Sequence, residues 1–314
     1  MIVFGPVPSR RLGRSIGINN IPAKNCTYSC IYCQLGRTND RILERMSFYE
    51  PEKILADTRS LVQKTVSKGE RIDYLTFVPD GEPTLDINLQ REVELLRELD
   101  LHIAILTNAS LIWHNDVRET LCELDLVSLK IDAVSERIWR RIDRPHEHLS
   151  LERILEGIIE FSEQYDGTLI TETMLMDGID YSDEKDKIAE FLSGLNIKRA
   201  YVAIPTRPPA ENWVRPANEM VLNQVYQSFS DRLGSDRVEY LIGYEGNAFS
   251  STGNLEEDLL SITSVHPMRK DALERLIEKT NASWKNVDLL LHDGRLIELG
   301  YQGEMYYMRK LPSR

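Results

Sequence analysis

The chain has 314 residues, 42% of them apolar, which is enough to bury a large α/β core and a small second unit. A formal net charge of −12 excludes a protein that coats DNA or RNA nonspecifically. Charges interrupt every apolar run before it reaches membrane-spanning length, and the stretch from Met1 to Pro6 breaks too early for a signal peptide, so a soluble cytoplasmic protein with no membrane contact is expected.

In chain order, short runs rich in β-branched and apolar residues predict strands over 15–19, 74–78, 102–107, 126–131, 169–175 and 200–205. Helical patterns alternate with them near 51–69, 88–99, 113–122, 150–165, 183–194 and 217–232. Six β–α units in sequence predict an α/β fold with a parallel sheet and outer helices, as an open sheet or a full or partial barrel. Functional groups in such folds gather at the C-terminal ends of the strands. Beyond residue 255 the rhythm changes. Helices are expected over 255–264, after Pro267, and from an N-cap at Ser283; runs over 295–299 and 304–309 then flank a turn from Gly300 to Gly303. Three short helices and a hairpin follow the order of a winged helix. The expected division is 1–235 for the α/β core with its basic N-terminal segment, 236–254 for a connecting segment, and 255–314 for a winged-helix-like α+β domain.

Charge is unevenly spread. Residues 1–45 carry seven Lys or Arg against Asp40 and Glu44. This is either a solvated face or a site for an anionic substrate, with Arg10, Arg11 and Arg14 as candidate substrate contacts. The last 59 residues hold nine Lys or Arg against ten Asp or Glu. The helix from Ser283 offers only Lys285 and His292 against Asp288, so a capping or protein-contact role is expected there ahead of duplex binding. Tyr301, Tyr306 and Tyr307 suit either base stacking or ordinary strand packing.

Three of the four cysteines, Cys26, Cys30 and Cys33, lie within eight residues. A disulfide framework would not crowd them so, and clustered thiols in a cytosolic chain point to metal. Cysteine thiolates are the usual ligands of iron–sulfur clusters, and three ligands on four irons leave one position open for a small chelating molecule. The alternative is zinc with Cys122 as a fourth ligand, although the helical pattern around Cys122 suits a lone buried thiol.

The Cys-x3-Cys-x2-Cys spacing, with Tyr32 before the last cysteine and soon after the first predicted strand, is similar to the signature of the radical S-adenosylmethionine (SAM) superfamily. The resemblance implies a partial (β/α)6 barrel, a [4Fe–4S] cluster on Cys26, Cys30 and Cys33, and SAM chelating the open iron. It also implies an external low-potential electron donor of the flavodoxin or ferredoxin type. One electron would cleave SAM to methionine and a 5′-deoxyadenosyl radical that abstracts a substrate hydrogen. Asp80-Gly81-Glu82-Pro83 resembles the family's Gly-Gly-Glu-Pro motif, which holds the methionyl amine, with Asp80 in place of the first glycine. Thr107-Asn108-Ala109 resembles its Thr-Asn-Gly segment. Ser128, Lys130 and Asp132 alternate and so share one side of the fourth strand. Buried charges there need a partner or a ligand; the resemblance implies contacts to the SAM ribose or carboxylate, and the alternative is a Lys130–Asp132 ion pair. Glu172, a polar insertion in the fifth strand, is expected to bind substrate or SAM. Glu172 and Lys130 are the candidate catalytic groups; Tyr32, Gly81, Glu82, Pro83, Thr107, Asn108, Ser128, Lys130 and Asp132 are the candidate cofactor contacts.

Residues 5–19, 34–38 and 205–209 further resemble a group related to the wyosine synthetases, which act on tRNA-Phe, and this likeness covers about residues 1–215. It implies an RNA nucleotide as first substrate. The wyosine synthases themselves carry further N-terminal cysteines for a second cluster, whereas this chain has none before Cys26, so a single cluster is expected. The alternatives are a radical SAM enzyme acting on a small metabolite, peptide or protein, and a zinc-binding winged-helix regulator.

Overall fold

The computed structural model describes residues 2–242, 251, 253–265 and 267–310. Eight strands lie side by side in sequence order: β1 (Val3–Ser9), β2 (Gly13–Ile18), β3 (Tyr74–Phe77), β4 (His102–Thr107), β5 (Leu126–Lys130), β6 (Thr168–Met174), β7 (Arg199–Ala203) and β8 (Val238–Leu241). β1 runs antiparallel to β2, and every later neighbour is parallel. β1 and β8 end the order without pairing to each other, so the sheet is a partial barrel. Seven helices intervene: α1 (Pro51–Ser67), α2 (Leu89–Leu96), α3 (Asn115–Cys122), α4 (Glu136–Ile142), α5 (Leu151–Gln164), α6 (Glu184–Ser193) and α7 (Glu219–Leu233).

The six expected strands are β2 to β7, and the six expected helices are α1, α2, α3, α5, α6 and α7. Sequence reading missed β1, whose Pro6 and Pro8 read as breaks. An edge strand tolerates proline because one row of its N–H groups needs no partner. It also missed α4, whose seven residues are too few for a periodic signal, and β8, only four residues long. β8 lies inside the stretch expected to be a connector, so the sheet extends past residue 235; positions 243–250 and 252 of that stretch lie outside the described residues.

Strand alternation sorts side chains into two layers. Ile103, Ile105, Val127, Leu129 and Val202 are buried in the main core with helix residues such as Ile54, Val93, Ile158 and Phe229. On the other face Leu12, from the β1–β2 turn, packs with Ala104, Leu126, Ile170 and Tyr201. This apolar plug fills the N-terminal half of the concave face and leaves the C-terminal half for the site. Arg10 of the same turn donates to the Tyr240 carbonyl and so ties the turn to β8.

The remaining chain forms α8 (Leu255–Val265), β9 (Met268–Arg269), α9 (Lys270–Lys279), α10 (Trp284–His292), β10 (Leu296–Tyr301) and β11 (Glu304–Arg309). The three expected helices and the hairpin are present, and Ser283 caps α10, with its N–H on Asn286 Oδ1 at 3.2 Å. β9, two residues long and silent in the sequence, adds a third strand in the order β10–β11–β9, all antiparallel. This module has its own core, including Leu259, Leu273, Leu276, Val287 and Tyr307, against which Val7 of β1 packs. No helix among the described residues is long and apolar enough to cross a membrane.

Candidate active site

The chain leaves β2 into a long loop that carries the cysteines. Main-chain bonds to three separate segments shape it. Lys24 N–H donates to Asp80 O (2.8 Å) and Glu82 N–H to Asn25 O (2.9 Å), which ties the loop to the turn after β3. Gly81 is required there, because a Cβ would stand 1.8 Å from the Asn25 carbonyl oxygen. Ile31 N–H donates to Ile142 O (2.9 Å) and Ser29 N–H to Asp143 O (3.0 Å), at the end of α4. Glu211 N–H donates to Ile31 O (3.1 Å), and its buried carboxylate bonds Arg37 (2.7 Å) and Arg144.

Cys26, Cys30 and Cys33 are free thiols, half-buried, and all open on one cavity of about 310 Å³. Arg11, Lys24, Tyr32, Asp80, Gly81, Glu82, Asn108 and Glu172 also line it, with Pro205, Thr206 and Arg207 from the loop after β7. Burial, then the Glu82 carboxylate, pushes the Cys26 thiol up to about 12. Burial, then Asp143, pushes Cys30 up as well. Thiols in such a setting lose their protons only to a bound positive charge, which a metal supplies and a lone nucleophile lacks. Among the described residues no three thiols, imidazoles or carboxylates converge on a single ion. A structural zinc takes four protein ligands, and three thiols reach this cavity. Cys122 ends α3 four residues before β5 begins, at the other end of the sheet, and does not line the cavity. The donor set therefore fits a cluster held by three cysteines.

The candidate residues fall into two rows. Tyr32, Gly81, Glu82, Asn108 and Glu172 reach the cavity; Pro83, Thr107, Ser128, Lys130 and Asp132 do not line it. Most of the second group hold the first in place. Thr107 Oγ1 donates to Glu82 Oε1 (2.6 Å), which Thr84 also contacts through its hydroxyl (2.7 Å) and N–H (3.1 Å). Among the described residues Glu82 Oε2 accepts only Asn108 N–H (2.8 Å), so it keeps a lone pair. Asn108 Nδ2 donates to Thr27 Oγ1 (3.0 Å) and lies 3.6 Å from Cys26 Sγ. Ala109, where the family has glycine, has φ +61°, the conformation that favours glycine.

Lys130 Nζ bonds Glu172 Oε1 at 2.7 Å and stands 4.0 Å from Asp132, so its main partner is Glu172. Asp132 accepts the Tyr32 hydroxyl and the Met174 N–H (2.7 Å). Lys130 also lies 4.8 Å from the centre of the Tyr32 ring. Burial pulls Lys130 down, but Asp132 and Glu172 outweigh it and hold the ammonium above its ordinary value. Burial pushes Glu172 up, but Lys130 and Arg11 outweigh it and bring the carboxyl to about 2. Ser128 is buried below Lys130 on the same face.

Of the three arginines, Arg11 lines the cavity and pairs with Glu172. Arg10 is spent on Tyr240, and Arg14 pairs with Glu70 before β3, at the far end of the strands. Sequence reasoning missed Asp143, whose Oδ1 lies 3.3 Å from Cys30 Sγ and whose carboxyl burial pushes up. It also missed Arg207, which reaches Gln34 at 2.9 Å. The tyrosines expected to stack or pack are buried; Tyr301 donates to Pro205 O (2.9 Å) and Tyr306 to Thr206 O (2.8 Å). Of the two readings left open for these tyrosines, buried strand packing is the one the structure matches, and Tyr301 and Tyr306 also anchor the loop after β7.

A cysteine triplet after the first parallel strand of an open β/α barrel, with polar strand tips around a shared cavity, is the arrangement of a radical SAM protein. Residues 20–192, more than half of the chain, match the family model described as Radical SAM superfamily, and the chain belongs to that superfamily. Over all 314 residues it is 49% identical to the UPF0026 protein MJ1312 of Methanocaldococcus jannaschii, covering 97% of that protein, which sets it in the UPF0026 family. In fold it is similar to a radical SAM methyltransferase from Sphaerobacter thermophilus, with a TM-score of 0.56 and 16% identity over 72% of this chain and 66% of that one. It is also similar to TYW1 with a lysine-pyruvate adduct bound, with a TM-score of 0.51 and 16% identity over 69% of this chain and 73% of that one.

Proposed function

We propose that this protein is a single-cluster radical SAM enzyme that modifies an RNA nucleotide. The observation that carries the chemistry is the opening of Cys26, Cys30 and Cys33 on one cavity beside Glu82. When bound, the [4Fe–4S] cluster and SAM supply a 5′-deoxyadenosyl radical that abstracts a hydrogen from the substrate, with the electron coming from a flavodoxin- or ferredoxin-type donor. Cys26, Cys30 and Cys33 would hold the cluster. Glu82 Oε2, fixed by Asn108 while Thr107 and Thr84 hold its Oε1, would accept the methionyl ammonium; Asp80, with a buried oxygen that has no hydrogen-bond partner among the described residues, would support the same charge. Tyr32, locked by Asp132, forms the side of the pocket, and Gly81 and Pro83 shape the turn that faces it. Glu172, ionised and paired with Lys130 and Arg11, presents a fixed negative charge to SAM or substrate and resists protonation.

The RNA reading is supported by the likeness of residues 5–19, 34–38 and 205–209 to the wyosine group and by the fold similarity to TYW1. Residues 255–314 are read as a winged-helix-like domain that serves the site by holding the loop after β7. The test is anaerobic reconstitution with iron and sulfide. About four irons per chain, and reductant-dependent formation of 5′-deoxyadenosine from SAM, are expected; zinc without sulfide would overturn the enzyme reading. Hydrogen transfer from deuterated bulk tRNA into 5′-deoxyadenosine tests the substrate, and transfer from a peptide or metabolite pool alone would replace RNA with that class.

A further inference from the structure

Beside the cluster cavity, and sharing Lys24, Gln34 and Leu35 with it, lies a second cleft of about 380 Å³. Its size is within the range of about 300–1,000 Å³ usual for small-molecule sites. The cluster loop forms one wall and the C-terminal hairpin the other, with Pro208 and Pro209 between them. Four cations line it, Lys24, Arg37, Arg309 and Lys310, against one carboxylate, Asp40, in a chain whose net charge is −12. Lys24 and Arg37 are already engaged, by Gly36 O at 2.7 Å and Glu211 at 2.7 Å. The side chains of Arg309 and Lys310, at the end of β11, form no hydrogen bond or ion pair among the described residues. Arg309 is also near enough to act on Asp80, on the wall of the cluster cavity. Between the cations, Ile297, Leu299 and Met308 give the cleft an apolar side.

Adjacent cations beside an apolar wall match a nucleotide: phosphate on the cations, sugar and base on the apolar side. Arginine also offers the paired donors that phosphate geometry favours. The chain as a whole carries a net charge of −12, so affinity for an anion has to be local, which suits one extruded nucleotide better than a long track of backbone. We propose that this cleft holds the phosphate of an RNA nucleotide whose base enters the cluster cavity past Gln34 and Leu35, with Arg309 and Lys310 as phosphate contacts. The inference rests on the RNA reading above and assigns the C-terminal hairpin a direct share in substrate binding.

The experiment measures binding of fluorescently labelled bulk tRNA to the reconstituted holoenzyme across a salt series. R309Q/K310Q is expected to weaken binding at least tenfold and to lower the slope of log K against log salt by roughly one to two, since each phosphate contact contributes about 0.7–0.9. The control pair R59Q/R91Q, on α1 and α2, removes the same charge far from the cleft and is expected to change affinity less than twofold. Lys310 is exposed, so K310Q alone keeps the test available if the double variant misfolds. Equal losses in both pairs, unchanged binding in R309Q/K310Q, or a wild-type holoenzyme that binds polyglutamate and not tRNA would each overturn the proposal. Failure of the cluster reading is separately visible, as absent 5′-deoxyadenosine formation by the wild-type enzyme.

Discussion

Along β4 to β7 the concave face carries Ala104, Leu126, Ile170 and Tyr201 in its N-terminal half, closed on one another and on Leu12 of the β1–β2 turn. Two to four residues farther along the same strands, Leu126 gives way to Ser128 and Lys130, and Ile170 to Glu172, whose charges pair across strands rather than fill space. Both halves are buried, yet they are held by different forces. The lower half gains from removing apolar surface from water, at roughly 25 cal/mol per Å². The upper half holds desolvated ions that are tolerable only while each keeps its partner. The site therefore lies where the apolar filling stops, and the two halves should fail differently when cut.

The largest expected effect is in the upper half. Cys30→Ala should abolish cluster binding and 5′-deoxyadenosine formation while leaving the circular dichroism spectrum unchanged, because the thiol packs only at the margin of the main core and alanine keeps its Cβ there. Iron content matching wild type in this variant would break the assignment. Next come two truncations on the same face. Lys130→Met leaves Glu172 and Asp132 short of their cation, and should cost about 3–5 kcal/mol in urea unfolding and lower SAM cleavage. Ile170→Ala should cost about 2–5 kcal/mol by cavity formation and leave the cluster content of the folded protein unchanged. If Ile170→Ala emptied the cluster site, the division between the halves would be wrong.

A pH series sharpens the contrast. Glu172 lies below its ordinary value in the folded chain, so its stabilisation is complete above the usual glutamate range and is lost as pH falls toward about 2. Glu172→Gln should flatten that acid limb in thermal unfolding, whereas Ile170→Ala should shift the whole curve down without changing its slope. The smallest effect belongs to the C-terminal hairpin: Tyr306→Phe should cost about 0.5–1.5 kcal/mol, from one hydrogen bond to the Thr206 carbonyl.

The strands β2 to β7 were legible as short runs of mixed apolar and β-branched residues alternating with helical patterns, and the cysteines because their chemistry needs close spacing. The rest depended on distance in sequence. Asp143 sits in Arg141-Ile-Asp-Arg144-Pro, which reads as a turn, and reaches Cys30 only because Ile31 pairs with Ile142, more than 100 residues away. Counting charges found the basic density around the cysteine loop but not its directions: of Arg10, Arg11 and Arg14, only Arg11 lines the cluster cavity. The alternation of Ser128, Lys130 and Asp132 correctly gave a shared face, while the pairing of Lys130 with Glu172 required the register of β5 against β6.

Tyr301 and Tyr306 grip the loop after β7 by main-chain oxygens, those of Pro205 and Thr206. A hold of that kind does not read side chains. The side chains at 205 and 206 are thus open to exchange without breaking the hold of the two tyrosines, so selectivity can diverge while the scaffold stays put. A designer seeking to retarget the enzyme would vary those positions first and leave the two tyrosines alone.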